Sequence, residues 1–115
     1  MAETIFSKII RKEIPAEIVF ENETVLAFKD IKPQAPVHIL IIPKEELATT
    51  KELNGKIHSK LLGDLFDAAN EIALKFGISE DGFRLVINCG NNGGQEVYHL
   101  HMHLLGGRKL NWPPG

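Results

Sequence analysis

The 115-residue sequence has one cysteine, one tryptophan and one tyrosine. No apolar run in it approaches the ~20 residues that a bilayer-spanning helix requires. A lone thiol, Cys89, excludes an intrachain disulfide and a cysteine-rich zinc site, and it fits a reduced compartment. With Val86, Ile87 and Asn88 before it, it reads as a packed free thiol at a strand end. The N-terminal run Met1-Ala2-Glu3-Thr4-Ile5-Phe6 lacks the basic and long apolar regions of a secretory leader. Basic excess is also missing, since 13 Lys and Arg face 15 Asp and Glu. Only Lys8, Arg11 and Lys12 cluster, which leaves no basic face for a nucleic-acid backbone. The chain therefore reads as cytoplasmic, with neither membrane nor nucleic-acid partner. Repeats and linkers are absent too, so residues 1–115 read as a single domain with one core.

Hydrophobic periodicity supplies the elements. Ile5, Phe6, Ile9 and Ile10 predict a short helix, closed before Pro15. Residues 17–21 and 25–31 read as strands on either side of Asn22 and Glu23. After Lys32-Pro33-Gln34-Ala35-Pro36, the run His38 to Ile42 predicts a strand buried on both faces. A long helix is expected over 56–76, with Ile57, Leu61, Leu65, Ala69, Ile72, Ala73 and Phe76 on one stripe and Gly77 as its stop. His58 falls beside the polar face and reads as solvated, without a role. Strands over 83–89 and 98–105 flank the Gly-rich turn Gly90-Asn91-Asn92-Gly93-Gly94-Gln95. The sum is an α+β fold: a five-stranded antiparallel sheet with one long and one short helix.

Alternation in a strand places His99, His101 and His103 on one face and Leu100, Met102 and Leu104 on the other. Two chemistries fit three imidazoles so arranged. They ligate zinc, or one acts as nucleophile while its neighbours orient it and stabilise charge. Few further ligands lie near, Glu96 being the closest carboxylate, and this favours the nucleophile. His38, at the mouth of an apolar run, needs a buried hydrogen-bond partner. The Gly-rich turn lacks a Gly-Lys-Ser/Thr ending and opens no helix, so it is not a P-loop. It nevertheless ends three residues before the histidines, so its N–H groups, the Gln95 amide and Asn88 are candidates to face the same site.

The segment His99-Leu100-His101-Met102-His103-Leu104-Leu105 has the form His-φ-His-φ-His-φ-φ, with φ apolar, and resembles the signature of the histidine triad superfamily. Further matches run through Ile5-Phe6, Ile10 to Pro15, Asp30-Ile31, Pro33 to Pro36, His38, Gly93 to Gln95, Gly106 to Arg108 and Trp112 to Gly115. Together they are similar to its Hint branch over nearly the whole chain. The resemblance implies a homodimer with a ten-stranded sheet. It also implies hydrolysis of purine nucleoside 5'-phosphoramidates without a cofactor or metal. His101 would be the nucleophile, His103 the contact to the α-phosphate, and His38 and His99 the groups holding the catalytic ring in its tautomer. Ile5, Phe6, Ile9, Phe28 and Ile31 would form the nucleobase pocket, and Asp30 would bind the ribose. Asn88, Gly94, Gln95 and Glu96 would meet the phosphate, and Trp112 would reach the partner's site. Glu96 departs from the hydroxyl residue common in that branch. Lys29 reads as solvated. Other readings are a dinucleoside polyphosphate hydrolase or nucleotidyl transferase of the superfamily, and a non-catalytic nucleotide- or metal-binding module.

Overall fold

A computed structural model describes residues 3–115, so Met1 and Ala2 of the N-terminal run lie outside the described residues. Helix α1 spans Ile5–Ile10 and starts in a capping box, with Thr4 and Ser7 side chains each accepting the other's backbone N–H. It stops before Pro15, as the sequence predicts. Lys12, at φ 62°, turns the chain out, while the Lys12 and Glu13 N–H groups donate to the Ile9 and Lys8 carbonyls.

Strands β1 (Ile18–Glu21), β2 (Val25–Lys29), β3 (Val37–Pro43), β4 (Phe83–Val86) and β5 (Met102–Gly106) form one antiparallel sheet in the order β1-β2-β3-β5-β4. A single 3-10 turn, Thr50–Glu52, precedes the long helix α2, Ser59–Lys75. The apolar run of β3 is buried on both faces, as its composition predicts. Ile39 and Ile41 pack with Leu100, Met102 and Leu104 against Leu61, Leu65, Ala69 and Ile72 of α2. Leu40 and Ile42 face the other way and pack with Leu26, Phe28 and the α1 residues Phe6 and Ile9. The sheet thus separates two apolar layers, and the histidines lie on the α1 side. Helix α2 ends at Gly77, φ 71°, where the Gly77 and Ile78 N–H groups bond the Leu74 and Ala73 carbonyls.

Apart from shifts of one or two residues, such as the end of β2 at Lys29 in place of Ile31, three boundaries differ from the sequence reading. Helix α2 starts three residues late because Asn54 Oδ1 accepts the Lys56 and Ile57 N–H groups in a turn, which leaves Ile57 exposed. His58 is buried at the head of α2, not solvated: its Nδ1 accepts the Asn54 N–H and its Nε2 lies 3.3 Å from Glu45 Oε2. Strand β4 ends at Val86, so Cys89 sits beyond it, half-buried. Hydrogen bonds from the Thr50 and Thr49 hydroxyls hold its thiol below the ordinary range. Strand β5 begins at Met102, so His99, Leu100 and His101 precede it. The cause is Pro43, which the β3–β5 register would set opposite Leu100 and which has no N–H to offer a ladder. The Leu100 N–H instead donates to the Leu47 carbonyl, at 2.7 Å.

Leu104 is fully buried between sheet and α2. Leu104→Ala is expected to lower the stability measured by urea unfolding by about 2–5 kcal/mol, with little change in the m-value.

Candidate active site

Gly93 and Gly94 determine the course of the Gly-rich turn. A Cβ on Gly93 would meet the Cys89 carbonyl oxygen at 2.5 Å, and Gly94 has φ +80°. The Gly94 and Gln95 N–H groups are consumed within the turn by the Asn91 and Gly90 carbonyls. Gln95 is buried and its side chain is likewise committed. Oε1 accepts the Gly90 N–H, and Nε2 donates to the Ala48 and Val97 carbonyls. Gln95 therefore fastens the turn to the loop after β3 and presents no amide to a ligand.

Between this turn, α1 and the β2–β3 connection lies a cleft of about 380 Å³. Phe6, Leu40 and Val97 form its apolar wall, and Asp30, Asn88, Glu96, His101 and His103 are its polar groups. Lys32 and Gln34 complete the rim. A larger hollow of about 550 Å³ at the far end of β5 is lined by residues such as Asp81, Arg108 and Lys109, and by no histidine, cysteine, serine or threonine.

The hydrogen bonds fix each imidazole's tautomer. The His101 ring donates from Nδ1 to the His99 carbonyl at 2.8 Å, which leaves its Nε2 with a lone pair. His99, buried, points elsewhere and donates from Nε2 to the Pro43 carbonyl at 2.8 Å. The Gln34 N–H donates to His38 Nδ1 at 3.0 Å, so a neutral His38 carries its proton on Nε2. That proton goes to His103 Nδ1 at 2.9 Å, and Asp30 Oδ2 is farther away at 3.5 Å. His103 is thereby left with its N–H on Nε2. The backbone carbonyl of His99 and the ring of His38 thus act on different histidines, where the resemblance had both holding His101.

Burial favours the uncharged ring at three positions. His103 is pushed down to about 4 by burial first, with the neighbouring His101 and His38 adding and Asp30 opposing. Burial also lowers His38, against Asp30, and His99, against its bond to Pro43. Phe6 meets the His101 ring edge-on, with centroids 5.1 Å apart, and so ties that ring's orientation to α1.

Asp30, His38 and His103 offer three ligand atoms within 4.8 Å of one another. Two imidazole nitrogens on a tetrahedral zinc would stand roughly 3.3 Å apart, given Zn–N of ~2.0–2.1 Å. The 2.9 Å between His38 Nε2 and His103 Nδ1 is the shorter spacing of a hydrogen bond.

Of the residues singled out from the sequence, His38, His101, His103, Phe6, Asp30, Asn88, Gly94 and Glu96 converge on the cleft. Ile9 and Phe28 are buried behind its apolar wall. Ile5, Ile31 and Trp112 are exposed, at 52, 90 and 82%, and do not line it. Sequence reasoning misses Lys32, Gln34, Leu40 and Val97. Leu40 is within reach of the period-two rule, being two residues after His38 on the same strand face. Lys29 pairs with Glu17 and lies over the Phe76 ring.

Because folded His103 titrates at about 4 and an unfolded histidine near 6.5, unfolding takes up a proton between those values. Its contribution to stability is therefore full above 6.5, falls as pH drops towards 4 and is level below. Urea unfolding of His103→Gln across that window is expected to give a flatter pH dependence than the wild-type chain. Parallel curves would contradict the assignment.

Comparison with known proteins agrees with this geometry. The family model described as HIT domain matches residues 11–110. The purine nucleoside phosphoramidase of Escherichia coli (strain K12) is 56% identical over 108 residues, covering 94% of this chain and 90% of its own. The 14 kDa zinc-binding protein of Zea mays is 56% identical over 117 residues, covering 97% of this chain and 88% of its own. A HIT family hydrolase from Legionella pneumophila Philadelphia 1 superposes with a TM-score of 0.95 at 52% identity, covering 98% of this chain and 100% of its own. Among the described residues no helix is long and apolar enough to cross a membrane. The chain belongs to the HIT domain family.

Proposed function

We propose that this protein hydrolyses purine nucleoside 5'-phosphoramidates, such as AMP-NH2 or AMP-lysine conjugates, to the nucleoside monophosphate through a nucleotidyl-histidine intermediate. The observation that carries this reading is the 2.8 Å bond from His101 Nδ1 to the His99 carbonyl, which leaves a lone pair on Nε2 in the cleft. The name of the E. coli relative supports the P–N substrate.

In this reading the purine lies against Phe6, Leu40 and Val97, and Asp30 accepts from the ribose hydroxyls. Asp30 Oδ1 already takes the Lys32 N–H, so Oδ2 is the oxygen for the sugar. His103 Nε2–H, the Asn88 amide and the Glu96 N–H, which has no partner among the described residues, meet the phosphate oxygens. Gly94 lets the backbone pass close to them. Fixed donors aimed at charge that develops at phosphorus typically contribute ~10²–10³ each in rate. His101 Nε2 attacks phosphorus, the P–N bond to the amine breaks, and the leaving nitrogen takes a proton from water at the open cleft. Water then attacks phosphorus and gives up a proton to the hydroxide left by the first step, the bond to His101 breaks, and the lone pair returns to Nε2. No metal or other cofactor takes part.

We also read the molecule as one cytoplasmic domain over 1–115 that forms a homodimer. Strand β4 is a sheet edge bearing half-buried Phe83 and Leu85, and Ile87 beside it is partly exposed. Pairing β4 with its copy would give ten strands and cover that edge. Exposed Trp112 would then be free to reach the second subunit.

Rapid quenching with an adenosine phosphoramidate, followed by peptide mass spectrometry, is expected to show one nucleotidyl group on His101. His101→Ala is expected to lower turnover by more than about 10³-fold while folding normally. Undiminished turnover, or an adduct on another residue, would overturn the reading, and binding without any turnover would favour the non-catalytic module.

A further inference from the structure

We propose that Glu96 is a specificity-determining residue that sorts substrates by the charge of the leaving group, favouring an amine that carries a cationic end and rejecting one that carries an anionic end. The inference rests on the phosphoramidate reading and deepens it.

Three side chains with formal charge line the cleft: Lys32, Asp30 and Glu96. The histidines that line it from β3 and β5, His38 and His103, are kept neutral by burial. His101, the reacting group, aside, the lining thus carries one cation against two carboxylates. The two carboxylates are not equivalent. Asp30 is assigned to the sugar, with Oδ1 on the Lys32 N–H and Oδ2 left for the ribose hydroxyls. Glu96 is exposed and forms no ion pair among the described residues, whereas Glu3, Glu13, Glu17, Glu21 and Asp64 all do. Its field therefore falls on whatever occupies the cleft.

Its neighbours hold it in place. Gln95 is bonded inward to Ala48 and Val97, and Val97 packs on the α1-side core. Glu96 also belongs to the same loop as Asn88 and Gly94, while Asp30 and Phe6 come from the β2–β3 connection and from α1. With the nucleoside on the Asp30 and Phe6 side, the group that departs from phosphorus lies towards Glu96.

The charges of the reactants fit such a filter. A nucleoside phosphoramidate has one ionised phosphate oxygen. The monophosphate product approaches two, its second pKa being ≈ 6. A carboxylate at the mouth accordingly opposes rebinding of the product and opposes polyphosphate leaving groups. An ammonium on the leaving chain is drawn to it.

The test compares three adenosine phosphoramidates of equal chain length, made from 1-aminobutane, 1,4-diaminobutane and 4-aminobutanoate. The quantity read is the ratio of kcat/KM within each enzyme, so that any common effect of substitution cancels. For the wild-type protein the diamine conjugate is expected to exceed the aminobutanoate conjugate by about tenfold or more at low salt. In Glu96→Gln and in Glu96→Ser the ratio is expected to fall to within about threefold, and added salt is expected to shrink the wild-type ratio alone. A ratio unchanged in both variants would overturn the role of Glu96 while hydrolysis of the neutral conjugate left the phosphoramidase reading standing. Failure of the wild-type protein to hydrolyse the neutral conjugate would overturn both.

Discussion

The hydrogen bond from the His101 ring to the His99 carbonyl is the constraint on which the site depends. In a regular strand that carbonyl would be spent on a neighbour. Here the ladder between β3 and β5 starts only at Ile41 and Met102, because Pro43 has no N–H for a longer pairing. The residues just before β5 are tied to the loop after β3 by other bonds. The Leu100 N–H takes the Leu47 carbonyl, the His99 ring the Pro43 carbonyl and the Gln95 amide the Ala48 carbonyl. The His99 carbonyl faces the β4 side, where the ladder ends at Val86 and His103, and is left to accept from a side chain two residues on. The early end of β4 thus frees the acceptor that sets the tautomer of His101.

Around that bond the protein buries His38, His99 and His103 and holds them uncharged. A neutral His103 presents an N–H dipole to the cleft in place of a full cation. Holding it neutral costs stability once the solvent is acidic enough to charge the unfolded ring. The two apolar layers offset this cost. One binds the sheet to α2, and the other places Phe6 against His101. The split is visible in the His99–Leu104 segment, where His101 and His103 face the cleft and Leu100, Met102 and Leu104 the core.

That alternation is legible in the sequence alone. Leu100, Met102 and Leu104 all lie in the α2-side core as period two requires, although the strand itself begins only at Met102. The buried run of β3, the Gly77 stop and the α+β class are legible for the same reason, since each depends on residues close in sequence. Long-range pairings are not. His58 reads as solvated by spacing, yet Asn54 and Glu45 capture it at the head of α2. The Gln95 amide reads as a ligand donor, but Ala48, distant in sequence, takes it. His38 and His99 read as one pair of supports because spacing does not reveal which ring each will meet.

The central claim concerns protons, so nitrogen-15 spectroscopy of the imidazoles at neutral pH tests it most directly. The account predicts that His101 carries its proton on Nδ1 and leaves Nε2 bare, with His38 and His103 protonated on Nε2 alone. A His101 ring protonated on Nε2 with a bare Nδ1 would contradict it.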